Sequence, residues 1–357
     1  MLTILTVIGT RPEAIKMAPV VNELEKYPDR IRSLVCVTGQ HKEMLASILL
    51  LFGIKSDYDL AVIQPNQDLT TLTARTLEHL DPIIQQAATL TAYCHRIRFS
   101  HVKAGLRKGD RYQPFPEEMN RQLADVLADR LFAPTDRNRQ ALLREGITYE
   151  KIELVGNTVI DALLATAALP YDWSIGPLAE IPQHKRLVLV TAHRKESFGE
   201  PMCEICLGIH KLAEKFRNLD IQFIYPVRLN PNVQQPVREI LADIAGVTLI
   251  EPLDYLALVQ LIKRCCLILT DSGGIQEEVS SLRVPVLVLR ETTERAEVVE
   301  MGITKLVGTS QFLIISETEW LLMDTQANAD MATGQNPYGD DRAAARIVSS
   351  LLNEASI

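Results

Sequence analysis

The stretch LTILTVIGTRPEAIKMAPV, residues 2–20, contains the pattern that decides the fold. Its first seven residues, Leu2–Ile8, are largely apolar and β-branched, which is typical of a buried strand. Gly9 then permits a tight turn, and Pro12 suits the first turn of a helix. A strand, a glycine turn and a helix in this order predict the opening unit of a parallel α/β fold.

The same alternation runs along the whole chain of 357 residues, which is longer than one hydrophobic core usually organises. We therefore expect two doubly wound parallel sheets. A proline-rich break at 169–182 predicts a linker between a first domain, 1–169, and a second domain, 183–335. The first series of predicted strands covers 2–8, 32–38, 59–63, 130–133 and 151–155, and the second covers 186–191, 221–225, 247–250, 267–270 and 285–289.

One region interrupts this rhythm. Residues 69–93 have the pattern of a helix with a proline at Pro82, and the next strand-like piece covers only 97–102. A parallel sheet would need a strand between those two helical halves, and the sequence contains none there. We therefore predict that the first domain lacks one core strand.

Composition excludes several classes of protein. A net charge of −8 argues against binding nucleic acid through phosphate neutralisation. The apolar runs are too short for a membrane span, and the first residues do not resemble a secretory signal, so we expect a cytoplasmic protein. Six cysteines fit buried thiols in a reducing compartment, and the single CxxC at 203–206 fits buried helix positions better than a metal or redox site. We predict no bound metal.

Two strand-turn-helix segments could bind anions. Arg11 and Lys16 place two cations near a helix start, where free N–H groups favour a phosphate, although a surface turn with incidental cations would look similar. This segment is neither a P-loop nor a GxGxxG fingerprint. In the second domain, Ser272-Gly273-Gly274 can offer N–H groups and a hydroxyl to a diphosphate, and Glu278 could accept from ribose hydroxyls. One such site in each domain predicts a ligand in a cleft between the domains.

Other polar residues are candidates for acid/base chemistry. His193 follows the first strand of the second domain, where α/β folds place ligand-binding groups, although a lone histidine is often only structural. Glu117 and Glu118 form a carboxylate pair near a helix start, one turn from Arg121, but acidic first turns also occur for dipole reasons. Arg295 adds a cation after the strand at 285–289.

Taken in order, these segments resemble the non-hydrolysing UDP-N-acetylglucosamine 2-epimerase family over nearly the whole chain. The motifs that carry the resemblance are GTRPEAIKMAPV from Gly9, TGQHKEM from Thr38, HVKAGLRKGD from His101, PFPEEMNRQLAD from Pro114, VGNTVIDAL from Val155, TAHRKESFG from Thr191, YPVRLNPNV from Tyr225, EPLDYL from Glu251, DSGGIQEE from Asp271 and ETTERAEVVEMG from Glu291.

The resemblance implies a GT-B fold, in which two Rossmann-like domains face a cleft, the C-terminal helix at 340–357 crosses back to the first domain, and the protein is a homodimer. It implies an isomerase that uses no cofactor: UDP is eliminated from UDP-N-acetylglucosamine and added back with C2 inverted, giving UDP-N-acetylmannosamine for polysaccharide synthesis. The implied UDP-sugar contacts are Arg11, Lys16, Ser272, Gly273, Gly274, Glu278 and Arg295, and the implied catalytic positions are Glu117, Arg121 and His193.

Two departures from the family pattern predict impaired turnover. The family's strand with a Gly-Asp-Thr-rich turn, which carries one acid/base aspartate, has no counterpart between Gln86 and Ala87, and the glutamate of the HVEAG motif is replaced by Lys103. A smaller change is Arg228, where the family usually has histidine. The alternatives are a UDP-sugar-binding paralogue without catalysis and a GT-B glycosyltransferase, against which the GTRPEAIKM and TAHRKESFG motifs argue.

Overall fold

A computed structural model describes residues 1–38, 42–60, 85–112, 116–334 and 336–354. The chain forms two compact units, one of Met1–Ala162 with Tyr338–Ile357 and the other of Leu163–Pro337. The strands of both units pair in parallel throughout. The architecture is therefore α/β, as the sequence predicts.

The first unit contains six described strands in two separate three-stranded sheets, ordered β1-β2-β3 and β4-β5-β6. The strands are β1 (Leu2–Ile8), β2 (Ile31–Val37), β3 (Tyr58–Asp59), β4 (Ser100–Val102), β5 (Arg130–Ala133) and β6 (Ile152–Leu154). The helices are α1 (Arg11–Leu24), α2 (Lys42–Leu51), α3 (Gln85–Cys94), α4 (Glu117–Leu127), α5 (Asp136–Arg144) and α6 (Thr158–Ala167), which contains the boundary between the units, and a 3-10 turn covers Tyr149–Lys151.

The two sheets of the first unit lie on either side of the interval 61–84 in the chain. That interval contains most of the predicted helix at 69–93 and the end of the predicted strand at 59–63, which lie outside the described residues. Among the described strands, none of the β1 sheet is hydrogen-bonded to any of the β4 sheet. The absence of a core strand from this unit stays a prediction.

The second unit has one six-stranded sheet, ordered β12-β11-β10-β7-β8-β9. Its strands are β7 (Arg186–Thr191), β8 (Ile221–Pro226), β9 (Val247–Ile250), β10 (Cys265–Thr270), β11 (Val286–Val288) and β12 (Thr304–Leu306). Its helices are α7 (Glu200–Lys215), α8 (Pro231–Leu241), α9 (Tyr255–Arg264), α10 (Gly273–Leu282), α11 (Ala296–Glu300), α12 (Gln311–Met323) and α13 (Thr325–Ala332), with 3-10 turns at Gly176–Leu178 and Lys195–Ser197.

This sheet has a core on each face because side chains alternate along a strand. Val188 and Val190 of β7 enter one core with α7, whereas Leu187 and Leu189 enter the other core. Leu178, in the segment predicted as a linker, is fully buried in that second core, so this part of 169–182 packs onto the unit. The three-residue strand β12 was not among the predicted strands, because so short a run gives no readable alternation.

The C-terminal helix α14 (Ala343–Glu354) belongs to the first unit, where Ile347 and Val348 share a core with Val20 and Leu24 of α1. Asp161 accepts the N–H of Ala344 at 2.9 Å and so caps this helix.

The sequence predicts buried thiols. This prediction is wrong for Cys94, which is exposed at the end of α3. Both cysteines of the CxxC lie on α7, but only Cys206 is buried, and Cys203 is partly exposed. Burial raises the pKa of Cys206 to about 12, so this thiol is unreactive near neutral pH.

Candidate functional site

The start of α1 is already capped by its own residues. Thr10 and Glu13 form a capping box, in which the Glu13 carboxylate accepts the N–H groups of Gly9 at 2.8 Å and Thr10 at 2.9 Å. Pro12, in the first turn, has no N–H to offer. The expectation of free N–H groups at this helix start is therefore wrong for Gly9 and Thr10, and attraction of an anion would rest on the partly exposed Arg11 and Lys16.

The carboxylate pair at the start of α4 divides into a buried and an exposed member. Glu118 is fully buried and accepts the N–H groups of Lys108 and Gly109, each at 3.1 Å, and its nearest contact with Arg121 is 3.7 Å. Glu117 is exposed. The buried Glu118 therefore holds the preceding loop, whereas Glu117, the predicted proton carrier, is the exposed member of the pair.

A buried ion network supports the loop after β4, and the sequence patterns did not reveal it. Asp125 of α4 accepts from His101 Nδ1 at 2.5 Å and from the Arg107 guanidinium at 2.6 Å, and Arg107 also binds Glu145. Burial raises the pKa of Asp125, but the hydrogen bond from His101 and the charge of Arg107 outweigh it and hold this pKa below its usual value. The loop so held contains Lys103, at φ 67°, where the family motif has glutamate.

In the second unit, the Ser272-Gly273-Gly274 turn begins α10 directly after β10. Ser272 is the N-cap residue, but its side chain makes no capping hydrogen bond. A Cβ atom on Gly273 would lie 2.8 Å from the Arg295 guanidinium carbon. Glycine at this position therefore allows the Arg295 guanidinium to lie beside the helix start. The guanidinium and the N–H groups of the helix start both favour an anion there.

Two carboxylates orient the Arg295 guanidinium. Glu277 accepts from Nε of Arg295 at 3.0 Å, and Glu294 accepts from its Nη1 at 2.8 Å. Glu294 also pairs with Arg290, and Arg290 reaches Glu196 at 3.2 Å. Burial raises the pKa of Glu294, but Arg295 and Arg290 outweigh this and lower it to about 2. The network therefore keeps Glu294 charged at neutral pH and holds Arg295 in a defined orientation.

His193 lies after β7 and is joined to the Ser272 turn through Asp271. The Asp271 carboxylate accepts the backbone N–H groups of His193 at 2.7 Å and Arg194 at 2.8 Å. The imidazole Nδ1 lies 3.7 Å from the other carboxylate oxygen of Asp271. Burial lowers the pKa of His193, an effect that Asp271 opposes and the nearby Arg228 and Arg194 reinforce. A neutral imidazole is thus favoured.

The structure places the predicted residues as follows. In the second unit it brings Gly273, the middle residue of the Ser272–Gly274 turn, against Arg295, and Glu278 lies buried on the second turn of α10. In the first unit, Arg11 and Lys16 lie on α1, and Glu117 and Arg121 lie on α4. Sequence reasoning missed the roles of Asp271, Glu277 and Glu294. The position of Asp271 at the end of a strand, directly before the glycine turn, was the available signal.

Two further properties concern ligand classes. Within the described ranges, no three or more His, Cys, Asp or Glu side chains form a group that could hold a metal ion. Over the same residues, every helix is too short or too polar to span a bilayer.

Comparison with known proteins identifies the family. Residues 22–352 match the sequence model of a family described as UDP-N-acetylglucosamine 2-epimerase. Curated relatives of that name include one from Salmonella typhimurium, 48% identical and aligned over 98% of each chain, and one from Escherichia coli K12, 47% identical over 98% of each. The Salmonella alignment is 370 positions long, whereas this chain has 357 residues. At least 13 positions of the alignment are therefore gaps in this chain.

Solved structures agree with this result. The UDP-GlcNAc 2-epimerase of Neisseria meningitidis, crystallised with UDP-GlcNAc, is 42% identical with a TM-score of 0.89, covering 99% of this chain and 100% of the other. The enzyme of Methanocaldococcus jannaschii, crystallised with UDP-GlcNAc and UDP, is 31% identical with a TM-score of 0.81, covering 99% and 100%. The fold is of the GT-B type seen in these relatives.

Proposed function

Because the chain belongs to the UDP-N-acetylglucosamine 2-epimerase family, we propose that it binds UDP-N-acetylglucosamine and interconverts it slowly with UDP-N-acetylmannosamine. The observation that carries the proposal is the arrangement in the second unit of the Arg295 guanidinium against Gly273, at the start of α10. A helix start and a fixed guanidinium together suit a diphosphate, because both present N–H donors and positive charge.

The binding role divides among a few groups. The N–H groups and hydroxyl of Ser272–Gly274 and the Arg295 guanidinium would contact the diphosphate, and the Glu278 carboxylate would accept from the ribose hydroxyls. Arg11 and Lys16 would add positive charge from the first unit. These groups bind the leaving UDP and stabilise its charge as the C1–O bond breaks, which is the electrostatic part of the catalysis.

The proton transfers need a base that removes the C2 proton and an acid that returns one to the opposite face of C2. As the proton leaves C2, the electron pair forms the C1–C2 double bond and UDP departs with the C1–O electrons. UDP then adds back to C1 while C2 is reprotonated. We assign Glu117, Arg121 and His193 to this region. Exposure of Glu117 fits contact with a ligand, and a neutral His193 can accept a proton.

We propose that turnover is impaired because Lys103 stands in the loop after β4, where the family motif has a carboxylate. A lysine ammonium group is protonated at neutral pH, so it cannot accept a proton as a carboxylate would. Loss of one proton-transfer group commonly removes about 10²- to 10⁴-fold of rate. The same observation favours the second candidate, a UDP-sugar-binding protein that catalyses no epimerisation. The family match disfavours the third, a glycosyltransferase.

The test is incubation with UDP-N-acetylglucosamine in D₂O, with deuterium at C2 and formation of UDP-N-acetylmannosamine followed by NMR, beside a calorimetric titration with UDP. We expect binding of UDP and slow C2 exchange. The His193→Gln variant sets the background rate. Turnover near an ordinary enzymatic rate of about 10 s⁻¹ would contradict impairment. Binding with exchange no faster than background would establish the second candidate, and failure to bind UDP would contradict both.

Assembly and location belong to the same proposal. We propose a cytoplasmic homodimer that supplies polysaccharide synthesis. Packed helices α3 and α4 of the first unit expose the apolar side chains of Leu90, Tyr93, Leu123 and Val126, which a second copy could cover. Light scattering should then give twice the chain mass of 39.9 kDa, and a monomeric mass at micromolar concentration would contradict the dimer.

A further inference from the structure

Asp271 joins the two loops that carry the candidate groups of the second unit. Its side chain is fully buried between the end of β10 and the loop after β7. One carboxylate oxygen, Oδ2, accepts three hydrogen bonds, from the N–H groups of His193 and Arg194 and from the Ser197 hydroxyl at 3.3 Å. This oxygen therefore holds the backbone of the loop.

The other oxygen, Oδ1, has a different environment. It is buried and has no hydrogen-bond partner in the described part of the chain. An unpaired buried carboxylate oxygen is unfavourable, so a nearby donor is expected to satisfy it. His193 Nδ1 lies 3.7 Å away, longer than a hydrogen bond but within reach of a small rotation of the imidazole. That imidazole is partly exposed, with 28% of its side-chain surface accessible.

The charges around the imidazole favour one protonation state. Asp271 and Glu196 attract a proton to the ring, whereas burial and the cations Arg228 and Arg194 disfavour it, and the net effect is a lowered His193 pKa. The ring is then neutral at neutral pH and carries a single N–H. The hydrogen-bond partners of the two ring nitrogens decide which of them carries that proton.

We propose that Asp271 is a positioning residue that accepts the Nδ1–H of His193 through Oδ1 and thereby makes Nε2 the nitrogen that gains and loses a proton. This rests on the proposed function, in which a UDP-sugar lies on the accessible side of the ring. In this tautomer Nε2 carries no proton in the free protein, and it can accept a proton or a hydrogen bond from the ligand. Carboxylate-bound imidazoles in other proteins are fixed in their tautomer in the same way.

The Asp271→Asn variant tests the proposal because the backbone N–H groups that bind Asp271 should fix the orientation of the new side-chain amide. The N–H groups of His193 and Arg194 need an acceptor, so the Asn oxygen takes the place of Oδ2 and the amide NH₂ faces Nδ1. The NH₂ group then donates to Nδ1, and the ring proton moves to Nε2. Loss of the carboxylate charge should also lower the His193 pKa further, because Asp271 attracts a proton to the ring.

The readout is ¹⁵N NMR of protein labelled at its seven histidines, with His193 assigned from the His193→Gln variant. We expect the Nδ1–H tautomer in the unmodified protein and the Nε2–H tautomer in Asp271→Asn. Asp324→Asn is the matched control, since Asp324 also accepts two backbone N–H groups, of Gln326 and Ala327, and it should leave His193 unchanged.

An Nε2–H tautomer in the unmodified protein, or an unchanged tautomer in folded Asp271→Asn, would overturn the proposal. The first of these measurements decides the matter even if the variant does not fold. A UDP titration of the same samples separates the two proposals. Absence of UDP binding with an Nδ1–H tautomer contradicts the proposed function only, whereas UDP binding with an Nε2–H tautomer contradicts the role of Asp271 only.

Discussion

The first strands of the two units, β1 and β7, have similar apolar sequences and different surroundings. Five of the six residues of β7 are buried, and β7 lies between β8 and β10. Only two of the seven residues of β1 are buried, and its one partner among the described strands is β2. Leu5 of β1 is 42% exposed, whereas Leu189 of β7 is fully buried. Similar apolar strand sequences therefore reach different degrees of burial, because burial depends on what the fold packs around each strand.

The largest difference between the units should appear on truncating these two leucines. Leu189→Ala removes a fully buried side chain and should lower the free energy of unfolding of the second unit by about 2–5 kcal/mol. Leu5→Ala removes a side chain that is already partly exposed and should cost about 1 kcal/mol in the first unit. Hydrogen exchange of peptides from each unit, followed in urea, measures both. Equal losses would show that β1 is as well packed as β7.

The pH dependence of stability tests the ion network of the second unit. Glu294 has a pKa of about 2 instead of 4.5, so its contribution is present above pH 4.5 and is lost as the pH falls towards 2. The shift corresponds to about 3 kcal/mol at most. Glu294→Gln should therefore lower the urea midpoint at pH 6 and have a smaller effect at pH 3. Glu319→Gln, which removes the pair of a partly exposed carboxylate with Lys215, is the control. A midpoint difference that does not shrink with acid would contradict this assignment.

The cations of the two units should differ in their effect on UDP affinity. Arg295 is fixed by Glu277 and Glu294 beside an uncapped helix start, so Arg295→Ala should weaken UDP binding by about 10- to 100-fold. Lys16 follows a helix start whose N–H groups already bind Glu13, so Lys16→Ala should cost less than about 10-fold. Calorimetry measures both, with Lys215→Ala as a surface control. A larger loss for Lys16 would place the main anion contact in the first unit.

The smallest effects are expected at the two turn glycines. A Cβ on Gly273 would meet the Arg295 guanidinium at 2.8 Å, and a Cβ on Gly9 would meet the Glu13 carboxylate at 2.9 Å. Gly273→Ala should therefore weaken UDP binding with little change in stability, because it displaces the cation. Gly9→Ala should disturb the capping box and cost about 1 kcal/mol of stability in the first unit. UDP affinity and thermal unfolding should be measured on both variants. A loss of stability in Gly273→Ala together with a loss of UDP affinity in Gly9→Ala would contradict this prediction.

Strand positions could be predicted from the sequence in both units. The predicted strands at 2–8, 130–133, 186–191 and 247–250 have the observed bounds, since each is a short apolar run next to a turn. The Ser272–Gly274 turn and Arg295 were also recognised, and the structure brings them together. In the first unit, Glu117 and Glu118 are identical neighbours in sequence, and only the phase of α4 against the loop at 108–109 decides that Glu118 is buried.

The sequence by itself determined the family, the α/β class, most strands and the glycine turn of the second unit, because each depends on a local run of residues or a motif. The tertiary structure alone decided which polar groups meet. Asp271 binds the N–H of His193 across 78 residues of chain, and Arg295 meets Glu277 across 18. Such contacts depend on the order of strands in the sheet, since parallel neighbours bring distant strand ends to one edge.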